Sequence, residues 1–326
     1  MSLNLCMSGT PNFLQDYWSR RPVLDTGPEN RYASLFDEGA VDDLITSRGL
    51  RLPAFRMVRD GQLLDPCGYT KSASLGHGQV HDLIDPNNVI QLFLQGATLI
   101  LRGLHRYHAG ISEFCNTFAL DLGHPVQANV YATPPSAQGF RVHYDNHDVF
   151  VLQCFGTKEW VVYEPVRMYP LKGDEEDQYV RPDELGHEVI HELLRSGDTL
   201  YIPRGWPHRA VTDTTTSIHL TIGVHVFTWL DVLGLLLDKA RACSALRATI
   251  PTPVDNDAFR DGLRAASAAF SGLLDRADIA ELSESMTRRI RARQGPLAPG
   301  SWASIARASG QGERGRHGDL LERNPR

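Results

Sequence analysis

The chain has 326 residues, 42% hydrophobic and 22% charged, with a formal net charge of −6. This balance supports a sizeable globular core and excludes a largely disordered chain. The acidic excess argues against direct nucleic-acid binding and is compatible with a basic polypeptide partner, although a charge of this size is common among soluble proteins.

Asn12 to Arg21 carries Phe13, Leu14, Tyr17 and Trp18 at helical spacing, and Pro22 ends the pattern, so a packing helix is expected there. A short helix is expected over Asp42 to Ser47. Arg51 to Val58 alternates as a strand and is followed by an Asp60-Gly61 turn. Asp85-Pro86-Asn87-Asn88 opens another helix, and Ala97 to Leu101 reads as a short buried strand. Ile111 to Leu122 has amphipathic helical spacing that stops at Gly123. His77, His81, His105, His108 and His124 lie near turns or polar runs and read as surface or capping histidines.

From Val126 to Val226 the chain is strand-rich. Strands are expected over Gln127 to Tyr131, Arg141 to Asp145, Val189 to Leu194, Thr199 to Pro203 and Thr216 to Val226. Val149 to Phe155 and Lys158 to Tyr163 read as a hairpin around Gly156-Thr157. Many short strands at close spacing suggest a sandwich or barrel. The acidic run Asp174 to Asp177 reads as a solvated loop. Thr228 to Leu246, Asp257 to Leu274 and Asp278 to Arg293 are helical patterns with apolar faces. They form a separate module over 228–293, and so small a unit needs a partner to bury its stripe. Residues 294–326 are rich in Gly, Pro, Ser, Ala and Arg with little periodicity, and disorder is expected there.

The five cysteines are scattered and form no C-x-x-C pair, so reduced thiols in a cytoplasmic protein are expected. The start, MSLNLCMSGTPNF, has no basic n-region, and no signal peptide is expected. The most apolar run, Phe227 to Leu237, is interrupted by Asp231 and is too short to span a bilayer.

The chemistry centres on His143-Tyr144-Asp145, with His208 downstream in GDTLYIPRGWPHRA. On a strand, His143 and Asp145 share one face and Tyr144 points away. Two imidazoles and a carboxylate can hold Fe(II) and leave one side of it open. Spacing alone leaves a second reading open, an ordinary polar pair with a loop histidine elsewhere. His147 would share the face of His143 on a regular strand and reads as a supporting residue or a bystander. Lys158 has the parity of Trp160 and Val162. Pointing inward it needs an anionic partner, and otherwise it reaches solvent from the strand end.

These residues resemble a known family. NVYATPPSAQGFRVHYDNHDVFVLQCFGTKEW is similar to the JmjC-type ribosomal oxygenases of the cupin superfamily, which are Fe(II)- and 2-oxoglutarate-dependent hydroxylases. The likeness continues through GDTLYIPRGWPH and SIHLTIGV and reaches back to FLQDYWSRRP and GATLIL. It implies a mainly β protein with helices (α+β): a double-stranded β-helix, or cupin jelly roll, with helical decoration. An oxygenase domain would occupy 1–227 and a homodimerisation module 228–293. His143, Asp145 and His208 would bind iron and form the catalytic centre, and Lys158 would bind the distal carboxylate of 2-oxoglutarate. Asn129 and Tyr131 would line the same pocket, with O2 as the second co-substrate.

The implied activity is hydroxylation of a protein or peptide side chain, such as Arg or His on a ribosomal protein. Hydroxylation of a small molecule or biosynthetic peptide is an alternative, and a non-catalytic cupin binding module is another. Two departures stand out. Well-studied members end in a winged-helix domain, for which the stretch from Gln294 is too short and too poorly patterned, and Gly223 replaces a small polar residue of some relatives.

Overall fold

The computed structural model describes residues 2–171, 173, 179–251 and 255–293. The acidic run Asp174 to Asp177 and the stretch from Gln294 onward lie outside the described residues. Strands follow in sequence order as β1 (Val23–Asp25), β2 (Phe55–Arg59), β3 (Gln62–Leu63), β4 (Thr70–Leu75), β5 (Gly78–Ile84), β6 (Thr98–Arg102) and β7 (Val126–Thr133). They continue as β8 (Asp148–Phe155), β9 (Thr157–Tyr163), β10 (Glu188–Arg195), β11 (Thr199–Ile202), β12 (His208–Val211) and β13 (Ser217–Val224). Helices are α1 (Ser2–Cys6), α2 (Phe13–Asp16), α3 (Glu38–Thr46), α4 (Pro86–Leu94), α5 (Ala109–Leu122), α6 (Trp229–Ala240), α7 (Asn256–Asp275) and α8 (Ile279–Arg293).

An eight-stranded antiparallel sheet runs β1-β11-β8-β13-β7-β6-β2-β3, and a smaller one runs β10-β9-β12. The backbone alternates between them, from β8 in the large sheet to β9 in the small, then β10 to β11, β11 to β12 and β12 to β13. This is a double-stranded β-helix. Val149, Val151, Leu200 and Ile202 of the large sheet meet Trp160, Val162 and Leu194 of the small one in a common core. On the other face of the large sheet Phe118 of α5 packs edge-on against Phe150, with ring centroids 4.9 Å apart.

The expected β8–β9 hairpin is not formed, because the two strands belong to different sheets. Gly156 is a corner where the backbone passes from one sheet to the other. Its φ is +64°, and a Cβ there would stand 1.9 Å from the carbonyl oxygen of Thr216. Only glycine fits so close an approach. The expected strand Arg141 to Asp145 is also absent. Instead His143 forms isolated antiparallel bridges with Tyr179 and with His208, the latter closed by His208 N–H to His143 O at 2.8 Å and the reciprocal bond at 3.2 Å. Farther back, Gln138 bridges Val211. The segment thus runs irregularly between β12 and Tyr179–Val180.

Asn12 to Arg21 does pack inward, Phe13 lying edge-on to Tyr201 at 4.9 Å. Its helix stops at Asp16, however, because Ser19 takes a positive φ of 54° and gives its N–H to the Tyr201 hydroxyl. The strand expected from Arg51 begins only at Phe55, since Ala54 N–H closes a turn onto Arg51 O. β1, β3 and the β4–β5 hairpin have no counterpart in the expected elements.

The described residues divide into two compact units, the second comprising 123–125 and 225–293. Within that unit Thr228 and Asp231 form a capping box at the start of α6, and the Asp255 carboxylate caps α7. α6 ends at Ala240, short of the expected Leu246, where Cys243 N–H turns back onto Ala240 O. No helix among the described residues is long and apolar enough to cross a membrane.

Candidate functional site

β13 and β7 show why the site lies where it does. On β13 Ser217, His219, Thr221 and Gly223 alternate with Ile218, Leu220, Ile222 and Val224, and all eight residues are buried. On β7 Gln127, Asn129, Tyr131 and Thr133 alternate with Val126, Ala128, Val130 and Ala132. Antiparallel pairing sets His219 opposite Tyr131 and Thr221 opposite Asn129. Each strand therefore sends apolar side chains to one face and polar ones to the other. The polar side chains face a cavity of about 200 Å³ between the sheets.

His143, Asp145 and His208 meet at one side of this cavity, with one ligand atom of each within 4.8 Å of the others. His208 Nε2 lies 3.7 Å from Asp145 Oδ2, and the two imidazole centroids are 4.6 Å apart. Both rings are oriented in the same way. His143 Nδ1 donates to the carbonyl of Arg141 at 2.8 Å, and His208 Nδ1 donates to that of Trp206 at 3.1 Å. A carbonyl can only accept, so Nδ1 carries the proton in each and Nε2 keeps its lone pair. Such bonds fix the tautomer and direction of metal-binding imidazoles. Burial, with help from the neighbouring His143, pushes His208 down to about 4, leaving it neutral at physiological pH. Burial pushes the Asp145 carboxyl up, but His147, His143 and His208 together hold it below the ordinary carboxylate range. The site thus offers one carboxylate oxygen and two imidazole Nε2 atoms, a donor set suited to a divalent ion with open coordination positions. Tyr144 is buried away from the cavity, as expected.

Lys158 lines the same cavity and is 3% exposed. Its Nζ donates to Thr133 Oγ1 at 2.9 Å, and Thr98 Oγ1 donates to the same oxygen at 3.3 Å. No acidic side chain lies within ion-pair distance of it among the described residues. Burial pushes the ammonium down to about 7. A buried cation served by a neutral hydroxyl is costly unless an anion joins it. Trp160 Nε1 and His219 Nδ1, which also line the cavity, are buried without hydrogen-bond partners. A small dicarboxylate that ligates a metal at one end fits this arrangement of donors.

Asn129 and Tyr131 line the cavity too. Asn129 Oδ1 accepts from Gly103 N–H at 3.0 Å, and Tyr131 stacks flat on His219 with centroids 4.9 Å apart. His147 also lines the cavity. Gly223 makes room for it, since a Cβ on that glycine would stand 2.7 Å from the imidazole. His108 caps α5 by accepting Ile111 N–H, and His77 and His81 are exposed, all as expected. His105 and His124 are half-buried instead, accepting the backbone N–H of Ala128 and Phe227. Sequence reasoning did not single out Arg56, Thr133, Trp160 or His219 as site residues. The alternation of polar side chains on β7 and β13 carries the signal for Thr133 and His219.

A JmjC-domain family profile matches residues 106–232. The bifunctional lysine-specific demethylase and histidyl-hydroxylase NO66 of Dictyostelium discoideum is 33% identical over 238 residues, covering 71% of this chain and 45% of that protein. Ribosomal oxygenase 1 of Gallus gallus is 30% identical over 231 residues, covering 70% of this chain and 37% of that protein. The chain belongs to the JmjC-type ribosomal oxygenase family. It spans less than half the length of either relative. YcfD, a ribosomal oxygenase from Escherichia coli solved with cobalt and 2-oxoglutarate, shares the fold of this JmjC protein. The TM-score is 0.52 at 17% identity, covering 85% of this chain and 68% of that one.

Proposed function

We propose that this JmjC protein is an Fe(II)- and 2-oxoglutarate-dependent dioxygenase that hydroxylates a side chain of a protein or peptide. The observation that carries the reading is the meeting in one cavity of two oriented imidazoles, a carboxylate and a buried lysine without an acidic partner. His143 Nε2, Asp145 and His208 Nε2 hold the metal, and Lys158 pairs with the distal carboxylate of 2-oxoglutarate. When bound, the two supply oxidative decarboxylation by O2 coupled to hydroxylation of a C–H bond. The protein's own part is positioning. The Arg141 and Trp206 carbonyls aim the imidazoles, Tyr131 and His219 stack flat on one another, and Asn129 and Thr221 line the same cavity. The family's substrates make a ribosomal protein the first macromolecule to test.

We assign the chemistry to 1–227 and homodimerisation to the helical module 228–293. The support is an unpaired stripe, since Trp229, Leu230, Leu233 and Leu237 of α6 are exposed at helical spacing. Light scattering at micromolar concentration should report a dimer, and a monomer would reject this assignment.

The test of the activity is succinate formation from 2-oxoglutarate under air with Fe(II) and ascorbate, comparing wild type with Asp145→Ala. Wild type should turn over, and the variant should lose both turnover and metal binding by about 100-fold or more. A wild-type protein that binds neither Fe(II) nor 2-oxoglutarate would sink the reading and leave a binding module.

A further inference from the structure

Arg56 carries a charge that the mechanism above does not use. It stands on β2 and lines the cavity. Its Nε is buried and has no hydrogen-bond partner, and its guanidinium lies over the Phe140 ring, 5.1 Å from the centroid. Arg102 is near and repels it, the Tyr131 hydroxyl shares a hydrogen bond with it, and the phenols of Tyr179 and Tyr69 are also close. No acidic side chain lies within ion-pair distance among the described residues. Burial holds its pKa below the usual guanidinium range, yet an arginine remains charged at any physiological pH.

The cavity's charges do not balance without a further anion. Its lining contains Lys158, Arg56 and Arg102 as cations and Asp145 as the single carboxylate. A divalent metal and a dianionic co-substrate cancel one another, and Asp145 offsets Lys158. The two arginines remain. Arg102 is exposed and screened by water, whereas Arg56 is half-buried and not relieved in this way. Inserting a cationic side chain beside Arg56 adds like charge next to a half-buried cation that no acidic side chain relieves, which disfavours that substrate. The unpartnered Nε–H of this guanidinium, on a cavity wall, is suited to donate to a carboxylate.

Resting on the oxygenase reading, we propose that the substrate segment brings a carboxylate to Arg56 and that the residue presented for hydroxylation is not cationic. An Asp or Glu side chain and a free terminal carboxylate share this chemistry. Among the side chains that the family hydroxylates, this excludes arginine.

The experiment is a competition within one reaction. The holoenzyme is given Fe(II), 2-oxoglutarate, O2 and a random heptapeptide library, half amidated and half with free C-termini. Products are identified by the gain of one oxygen. Peptides with Asp or Glu should outnumber their Asn or Gln counterparts among the products by about tenfold. If the free C-terminus is the source, that enrichment follows the free-acid half instead. Arg56→Gln should bring the ratio near one through a raised KM, and Arg56→Lys should keep part of it. The ratio is internal, so it does not depend on how much folded variant is present. Hydroxylated Arg or Lys, a ratio near one in wild type, or succinate formation with no peptide product would each overturn the proposal. So would a tenfold loss of 2-oxoglutarate affinity in Arg56→Gln, which would assign Arg56 to the co-substrate. A wild type without succinate formation or 2-oxoglutarate binding would sink the oxygenase reading as well. Turnover without acid preference sinks this proposal alone.

Discussion

The two ends of the cavity are built on opposite principles. At the imidazole end each ring is tied to a backbone carbonyl, Arg141 for His143 and Trp206 for His208, and the backbone bridge between the two residues locks their separation. Gly205 N–H adds a bond to the carbonyl of Asp145 at 2.9 Å. Around Lys158, by contrast, the ammonium has only the Thr133 hydroxyl, and Trp160 Nε1 and His219 Nδ1 on the same cavity wall have no partner. The first end is preorganised by the protein itself, so its ligands lose little freedom when an ion arrives. The second, on the proposed reading, would be stabilised by an anionic guest, and without one it costs the fold stability.

Lys158→Met tests this contrast most severely. It removes the charge while keeping most of the volume. Affinity for 2-oxoglutarate should fall by about 100-fold, the worth of a charge-assisted hydrogen bond in a buried site. Metal affinity should change little. The unliganded protein should become more stable by about 1–3 kcal/mol, because a poorly served buried cation has gone. Calorimetric binding and denaturant unfolding measure the two effects. A variant destabilised as well as unable to bind would show that the Lys158 end is as self-sufficient as the imidazole end.

Much of this contrast was legible in the sequence. His143, Asp145, His208 and Lys158 carry it in residue type and spacing, and all four line one cavity. The path of the backbone between them was less legible. Gly156-Thr157 between two apolar runs has the pattern of a hairpin turn, but the same pattern serves a corner between sheets. What separates the two is the approach of Thr216, sixty residues downstream, which no local pattern contains. Arg141 to Asp145 alternates like a strand, yet its backbone bonds go to isolated bridges at His143 and to Val180 and Gly205 rather than to a ladder. The β4–β5 hairpin was missed because both its faces are largely exposed, so its sequence lacks the alternation that burial imposes. Arg56 was hidden for the opposite reason, as a polar position in a strand that otherwise reads as core.

Gly156→Ala probes the corner on which the Lys158 end of the cavity depends. The added methyl must displace Thr216, and the residue must keep a positive φ. The expected cost is about 2–4 kcal/mol of folding stability from strain and overpacking together. Because Lys158 follows two residues later, 2-oxoglutarate binding at permissive temperature should suffer more than metal binding. Equal losses of both would mean that the two ends of the cavity move as one body.

The mildest test is titration, and here one lysine makes opposite demands. Burial holds Lys158 at about 7 when no anion is beside it, whereas its ordinary value is 10.5. Between these values the unfolded chain binds more protons at this residue than the folded one. Its contribution to unliganded stability is therefore complete above 10.5, declines as pH falls, and is lost below about 7. Co-substrate affinity runs the other way. A carboxylate binds the protonated form, so affinity is flat below about 7 and weakens by up to about tenfold per pH unit above it, until the pKa of the complex is reached. Lys158→Arg, charged throughout, should flatten this profile. Thr133→Val removes the hydroxyl that solvates the ammonium and should move the onset to lower pH, weakening affinity at pH 8 by about threefold. An onset unmoved by Thr133→Val would show that the threonine does not stabilise the charged form and that burial alone sets the lysine's titration.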